Sequence, residues 1–291
     1  MSKHTVAVVQ AAAIEGDRDG TIAKLADLTA DAARKGAKLV LFPEAFIGGY
    51  PRGMTFGAVV GSRTSKGRDE FQRYWDNAVD LPGKALDAIG KAARKSRVWL
   101  VTGVIERDRG TLYCTAVFFG PDGKYLGKHR KLMPTASERL IWGFGDGSTL
   151  PVIDTPLGRV GAVICWENYM PLLRAAMYGK GVEIWCAPTA DGRDTWLPSM
   201  QHIAIEGRCF VLSSNQVNPL TRGGSCIVDP FGEVLAGPLW GKEGILTATV
   251  DRRQIARGKF DLDVVGHYAR PDVFQLIVDE AAKPAVRRKE K

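Results

Sequence analysis

Gly158-Arg159-Val160-Gly161-Ala162-Val163-Ile164-Cys165-Trp166-Glu167-Asn168-Tyr169-Met170-Pro171 is the stretch whose reading decides the fold. Its first half is small, apolar and β-branched, the pattern of a buried strand over Val160–Cys165. Pro171 then opens Leu172-Leu173-Arg174-Ala175-Ala176-Met177, a helical pattern with proline in its first turn. A strand running through a short turn into a helix is the repeating unit of an α/β sheet. Here that turn carries a thiol, close to helix-start N–H groups that favour a thiolate and a developing oxyanion. Taken without its surroundings, Cys165 reads as a small inert hydrophobe. Its significance comes from other segments.

Strand-like and helix-like patterns alternate on both sides of this unit. Upstream lie a strand at Thr5–Ala11, an amphipathic helix at Thr21–Lys35 closed by Gly36, and a short strand at Leu39–Phe42. A helix at Lys84–Ser96 feeds the strand Val98–Ile105, and Leu112–Phe119 pairs with Tyr125–Lys128 through Pro121-Asp122-Gly123-Lys124. Downstream, the strands Val182–Ala187 and Phe210–Ser214 are separated by a helix at Leu197–Glu206. A second hairpin joins Ser225–Val228 to Val234–Ala236, followed by a strand at Gly244–Val250 and a short helix at Arg252–Arg257. The stretches 48–75, 188–196 and 218–224 read as irregular loops. Without a Ser/Gly/Pro linker, the pattern predicts one α/β domain over residues 1–275, then a basic C-terminal tail over 276–291 whose end, Arg287–Lys291, is solvated and frayed.

Composition removes several functional classes. No apolar run is long enough to span a bilayer, and the N-terminus enters a strand without a signal-like segment, so a cytoplasmic protein without membrane partners is expected. The five cysteines are an odd number with no C-x-x-C pair, which fits neither a disulfide framework nor a zinc knuckle. The four histidines lack metal-ligand spacing, so no metal is expected. Net charge is +8, yet no nucleic-acid-binding signature accompanies it, and no nucleic-acid partner is expected.

Three further segments carry possible chemistry. Glu44, in Leu41-Phe42-Pro43-Glu44-Ala45-Phe46, follows a buried strand, where lost hydration raises a carboxyl's proton affinity toward that of a general base. Lys131, in His129-Arg130-Lys131-Leu132-Met133-Pro134-Thr135, ends a cationic run at an apolar stretch that can bury its stem. Glu138 opens a glycine- and aromatic-rich segment through Trp142 and can pair with a lysine. An acid, an ammonium and a thiol make a coherent set for nucleophilic catalysis, with base, charge stabiliser and nucleophile.

Pro43–Phe46, His129–Thr135 and Cys165–Pro171 together resemble the three signature segments of the carbon–nitrogen hydrolase superfamily, in its nitrilase branch. Trp142–Ser148 and Gly266–Asp272 are similar to nitrilase segments as well, so the resemblance covers about residues 4–275. It implies a four-layer αββα sandwich, two facing mixed sheets with helices outside, in homodimers that often extend into spirals. It implies hydrolysis of an organic nitrile to its acid and ammonia without cofactor or metal. On the matching positions, Glu44 is the base, Cys165 the nucleophile, Lys131 and the Trp166 backbone N–H the charge stabilisers, and Glu138 the supporting acid. Tyr50, Trp142, Trp166, Pro188 and Thr189 border these segments and are the candidate substrate-pocket walls. The same acid–lysine–thiol set also serves amidases and N-carbamoyl amidohydrolases, and a hydratase would stop at the amide. A non-catalytic scaffold would have no chemical need for all three groups.

Overall fold

The first strand, β1 (Lys3–Gln10), buries both of its faces: Val6 and Val8 point one way into the core, Ala7 and Val9 the other. A two-residue period with both faces apolar requires cover above and below, and the rest of the chain supplies it. The structure, a computed structural model, describes residues 3–286. After β1, α1 (Arg18–Arg34) starts earlier than its apolar pattern because Asp17 accepts the Gly20 N–H at 2.8 Å. Gly36 follows it at φ 88°, the left-handed conformation that favours glycine. β2 (Ala37–Leu41) then leads into the stretch expected to be irregular, but Ser65–Asp76 forms a helix, α2. Its apolar stripe is short, Phe71, Tyr74 and Trp75 at the C-terminal end against the core, and its start is set by the Thr64 cap.

The chain continues through β3 (Val79–Asp80), α3 (Lys84–Ser96), β4 (Trp99–Asp108), β5 (Thr111–Phe119) and β6 (Tyr125–Arg130). Next come β7 (Val152–Thr155), β8 (Gly158–Ala162), α4 (Pro171–Gly179), β9 (Ile184–Thr189) and α5 (Trp196–Gly207). The remainder is β10 (Phe210–Asn215), β11 (Val217–Asn218), β12 (Thr221–Val228), β13 (Val234–Trp240), β14 (Gly244–Asp251) and α6 (Arg253–Asp261). One sheet runs β14-β1-β2-β4-β5-β6 with β3 beside β4; the other runs β11-β12-β10-β9-β8-β7 with β13 beside β12. Both mix parallel and antiparallel pairs.

The layers follow from which side chains meet. Val6, Val8, Leu39 and Leu41 of the first sheet pack against Val160, Ile184, Phe210 and Leu212 of the second. Ile22 and Leu25 of α1 and Leu86 and Ile89 of α3 cover the outer face of the first sheet. Leu173 and Met177 of α4 with Met200 and Ile203 of α5 cover that of the second. The result is the αββα sandwich. Among the described residues no helix is long and apolar enough to cross a membrane.

The described part of the basic tail makes specific contacts with the domain. The Lys283 N–H bonds Asp146 at 2.8 Å, Glu280 pairs with Lys180 at 2.7 Å, and the Asp279 carbonyl sits so close to Gly147 that a Cβ there would lie 2.0 Å from it. Residues 276–286 are therefore tied to the domain by specific contacts. Arg287–Lys291 lies outside the described residues.

Candidate active site

Glu44 and Lys131 follow strand ends of the first sheet, and Cys165 follows a strand end of the second, so the three meet where the sheets face each other. Each is placed by a local device. The Glu44 loop crosses β4 at Gly103, where a Cβ would come within 2.4 Å of the Ala45 nitrogen and the Pro43 carbonyl. The Gly103 N–H bonds that carbonyl at 3.1 Å, and the Gln216 side chain donates to the Glu44 carbonyl at 2.7 Å. Lys131 is held by its own N–H on the Cys114 carbonyl and by the Gly145 N–H on its carbonyl, both at 2.8 Å.

The thiol does not lie in the strand as its sequence implied. β8 ends at Ala162, and Cys165 starts a 3-10 turn, Cys165–Tyr169, at φ 51°. That left-handed backbone is uncommon for a residue with a Cβ, and here it belongs to the reactive side chain. Glu167 draws the turn closed by accepting the Ile164 N–H at 3.0 Å. Asn168 donates to the Val163 and Cys165 carbonyls at 2.9 and 2.7 Å, and the Trp185 indole N–H anchors it at 2.7 Å.

The side chains form one buried cluster. Lys131 Nζ donates to Glu44 Oε1 at 2.6 Å and to Glu138 Oε2 at 2.8 Å. Glu138 also accepts the Tyr50 hydroxyl at 2.5 Å and the Thr135 N–H at 2.7 Å. Glu44 and Lys131 are fully buried, and Cys165 is 5% exposed. Glu44 Oε2 has no hydrogen-bond partner among the described residues. Burial pushes the Glu44 carboxyl up from the usual carboxylate range; the Lys131 ammonium opposes this and Glu138 adds to it. Burial works against the Lys131 ammonium, yet Glu44 before all others holds its proton well above the usual lysine range. The thiol is pushed up by burial and then by Glu44. Helix-start N–H groups favour the thiolate, whereas desolvation and the facing carboxylate favour the protonated thiol, which suits a nucleophile whose proton is taken by a base.

Cys165 opens onto a cleft of about 960 Å³ whose lining includes Tyr50, Glu138, Trp166 and Asp191. The expected walls divide. Tyr50 and Trp166 line the cleft. Trp142, 2% exposed, lies behind it, with its indole N–H on the Tyr74 hydroxyl at 3.2 Å and its ring edge-on to Tyr50. Pro188 is buried within β9, paired with Ser214, and does not border the cleft. Thr189 touches the thiol instead, its hydroxyl 3.1 Å from Cys165 Sγ. The sequence reading missed Glu167, Gln216 and Asp191, the last accepting the Trp166 indole N–H at 3.0 Å. It also missed Cys114, whose thiol lies 3.5 Å from Glu44 Oε1. For Glu167 a signal was present: an acid three residues after the residue preceding the turn, Ile164, is the spacing of a capping carboxylate. Among the described residues, no group of His, Cys, Asp and Glu could hold a metal ion.

Comparison with known proteins establishes the family. The carbon–nitrogen hydrolase family model matches residues 5–260. The bifunctional nitrilase/nitrile hydratase NIT4B of Nicotiana tabacum is 57% identical over 95% of this chain and 86% of its own. An aliphatic nitrilase of Sinorhizobium fredii (strain HH103) is 55% identical over 98% of this chain and 99% of its own. Among solved structures, Saccharomyces cerevisiae Nit3 superposes with a TM-score of 0.74 at 24% identity, covering 91% of this chain and 96% of its own, which bears on the fold. This chain therefore belongs to the carbon–nitrogen hydrolase family, in its nitrilase branch.

Proposed function

We propose that this protein hydrolyses an organic nitrile to the carboxylic acid and ammonia, through covalent attachment to Cys165. The observation that carries the reading is a thiol facing a carboxyl whose second oxygen is unbonded, beside a buried ammonium, at the floor of a cleft. Glu44 takes the thiol proton as sulfur attacks the nitrile carbon, giving a thioimidate. Concerted transfer suits a thiol and a carboxyl that both hold protons more tightly than usual. Lys131 and the Trp166 backbone N–H stabilise the charge that develops on nitrogen. Water, activated by Glu44, adds to the thioimidate; ammonia leaves, and a second water releases the acid from the thioester. Glu138, gripped by Tyr50 and Thr135, holds Lys131 in place.

The family's homodimer belongs to this reading, with Leu172 on α4, 69% exposed, as apolar surface available to an interface. Five unpaired cysteines support a cytoplasmic site, where thiols stay reduced. The test is a panel of nitriles and their matching amides, scored for ammonia, acid and amide. Nitrile turnover with loss of both turnover and covalent adduct in Cys165→Ala is the expected result. Amide-only turnover replaces the reading with an amidase, amide as sole nitrile product with a hydratase, and full turnover by Cys165→Ala removes the nucleophile.

A further inference from the structure

Glu167 and His129 are both buried and stand outside the reaction just described. His129 Nδ1 lies 2.7 Å from the Thr149 carbonyl oxygen, which can only accept, so Nδ1 carries a hydrogen. Its Nε2 lies 2.9 Å from Glu167 Oε2, a contact that also needs a proton between the two atoms. Glu167 Oε2 already accepts the Ile164 N–H at 3.0 Å, and Oε1 accepts the Leu132 N–H at 2.6 Å. Both carboxyl oxygens thus already accept a backbone N–H, and the shared proton is assigned to the ring, whose Nδ1 carries its own. The placement in the chain is equally specific. Ile164 immediately precedes Cys165, Leu132 immediately follows Lys131, and His129 stands two residues before Lys131.

We propose that His129 and Glu167 form a buried imidazolium–carboxylate clamp that fixes the turn bearing Cys165 against the strand end bearing Lys131. Both are positioning residues: neither touches the reacting atoms, and each acts through the backbone beside one that does. A single carboxylate thus sets the thiol and the ammonium in register across the two sheets. The charged groups acting on the ring are Glu167, which favours its protonation, and Lys131, which opposes it. From a second 3-10 turn, Gly147–Thr149, it meets the neutral Thr149 carbonyl, and on β5 its paired residue is Ala116. Lys128 and Arg130, its neighbours on β6, turn away to Glu106. Burial opposes the charged ring, but Glu167 raises its proton affinity above the usual histidine value. The clamp therefore holds below that raised value and opens as pH rises through it.

The activity readout rests on the nitrile reaction proposed above; the state of the ring does not. In the full-length protein labelled with ¹⁵N-histidine, the resonances missing from His129→Gln should show both ring nitrogens protonated at neutral pH. A neutral ring with Nε2 unprotonated overturns the clamp and leaves the proposed reaction standing. In Glu167→Gln, kcat should fall about 10- to 100-fold, as for misplaced reacting groups. KM should stay within about 3-fold, and the alkaline limb of kcat should move to lower pH as the ring loses its counter-charge. Unchanged kcat and pH profile in a folded Glu167→Gln protein also overturns it. If that variant does not fold, the ring's protonation in the unsubstituted protein decides. Absence of nitrile turnover in the unsubstituted protein counts against the reaction, and the ring's state still reports on the clamp.

Discussion

Glu106 and Glu44 are both buried carboxylates served by cations from β6 or the residue after it, yet they are built for opposite ends. Glu106 on β4 is saturated: Thr115 donates to it at 2.9 Å, Lys128 at 2.5 Å, and Arg130 through two nitrogens at 2.9 and 2.6 Å. Burial opposes its charge, but Arg130 and Lys128 together hold its carboxyl below the usual range. Glu44 shares Lys131 with Glu138, receives Cys114 as a weak sulfur donor, and keeps Oε2 open. Its carboxyl moves the other way. A fully bonded buried carboxylate stabilises the sheet; one left an oxygen short has a lone pair to take a proton.

The contrast breaks most visibly at these two residues. Glu44→Gln should lower turnover by about 10³-fold, the scale of a lost general base, with little change in melting temperature. Glu106→Gln should do the reverse, costing about 1 kcal/mol or more of stability by leaving the half-buried Lys128 and Arg130 short of charge, while kcat of the folded enzyme stays near normal. Paired kinetics and denaturant unfolding check both, and a large kcat loss in a fully stable Glu106→Gln protein would erase the distinction.

Acid titration is a finer comparison. Because the folded-state proton affinity of Glu44 lies above the ordinary 4.5, the base becomes protonated, and activity fades, before pH reaches that value. Glu106 lies below 4.5, so the stability it contributes is present above its unfolded value and is lost only as pH falls further. Activity should thus disappear ahead of unfolding, as kcat/KM and melting temperature measured in the same buffers will show. Simultaneous collapse would mean that the two carboxylates do not differ as described.

The smallest effect concerns the cleft wall. Trp142→Phe should cost about 1 kcal/mol for the lost hydrogen bond to Tyr74 and leave the nitrile preference unchanged. A changed preference at full stability would return Trp142 to the wall, beside Tyr50 and Trp166.

Much of the architecture was legible because strong local signals agreed with the tertiary result. α3 begins and ends where its apolar spacing said, at Lys84 and Ser96, and β1 and β10 read as strands because both faces are buried. α2 was not legible: its apolar stripe is confined to Phe71, Tyr74 and Trp75 at its C-terminal end, and its start is set by the Thr64 cap within a charged run. Trp142 and Pro188 adjoin the catalytic segments in sequence, yet adjacency along a chain does not fix the direction of a side chain. Glu167 stands in the signature stretch itself, but its purpose appears only when residues 129 and 132 arrive beside it.

By itself, the sequence determined which residue types could do the chemistry and in what order they occur, since motif, strand-end placement and residue identity are properties of short segments. The tertiary structure decided their proton affinities and their roles. Desolvation, the bonding of Lys131 to carboxylates 87 and 7 residues away, and the open oxygen of Glu44 arise only when the two sheets close on one another. Electrostatic energy depends on distance and on the exclusion of water, and neither is written in any one segment.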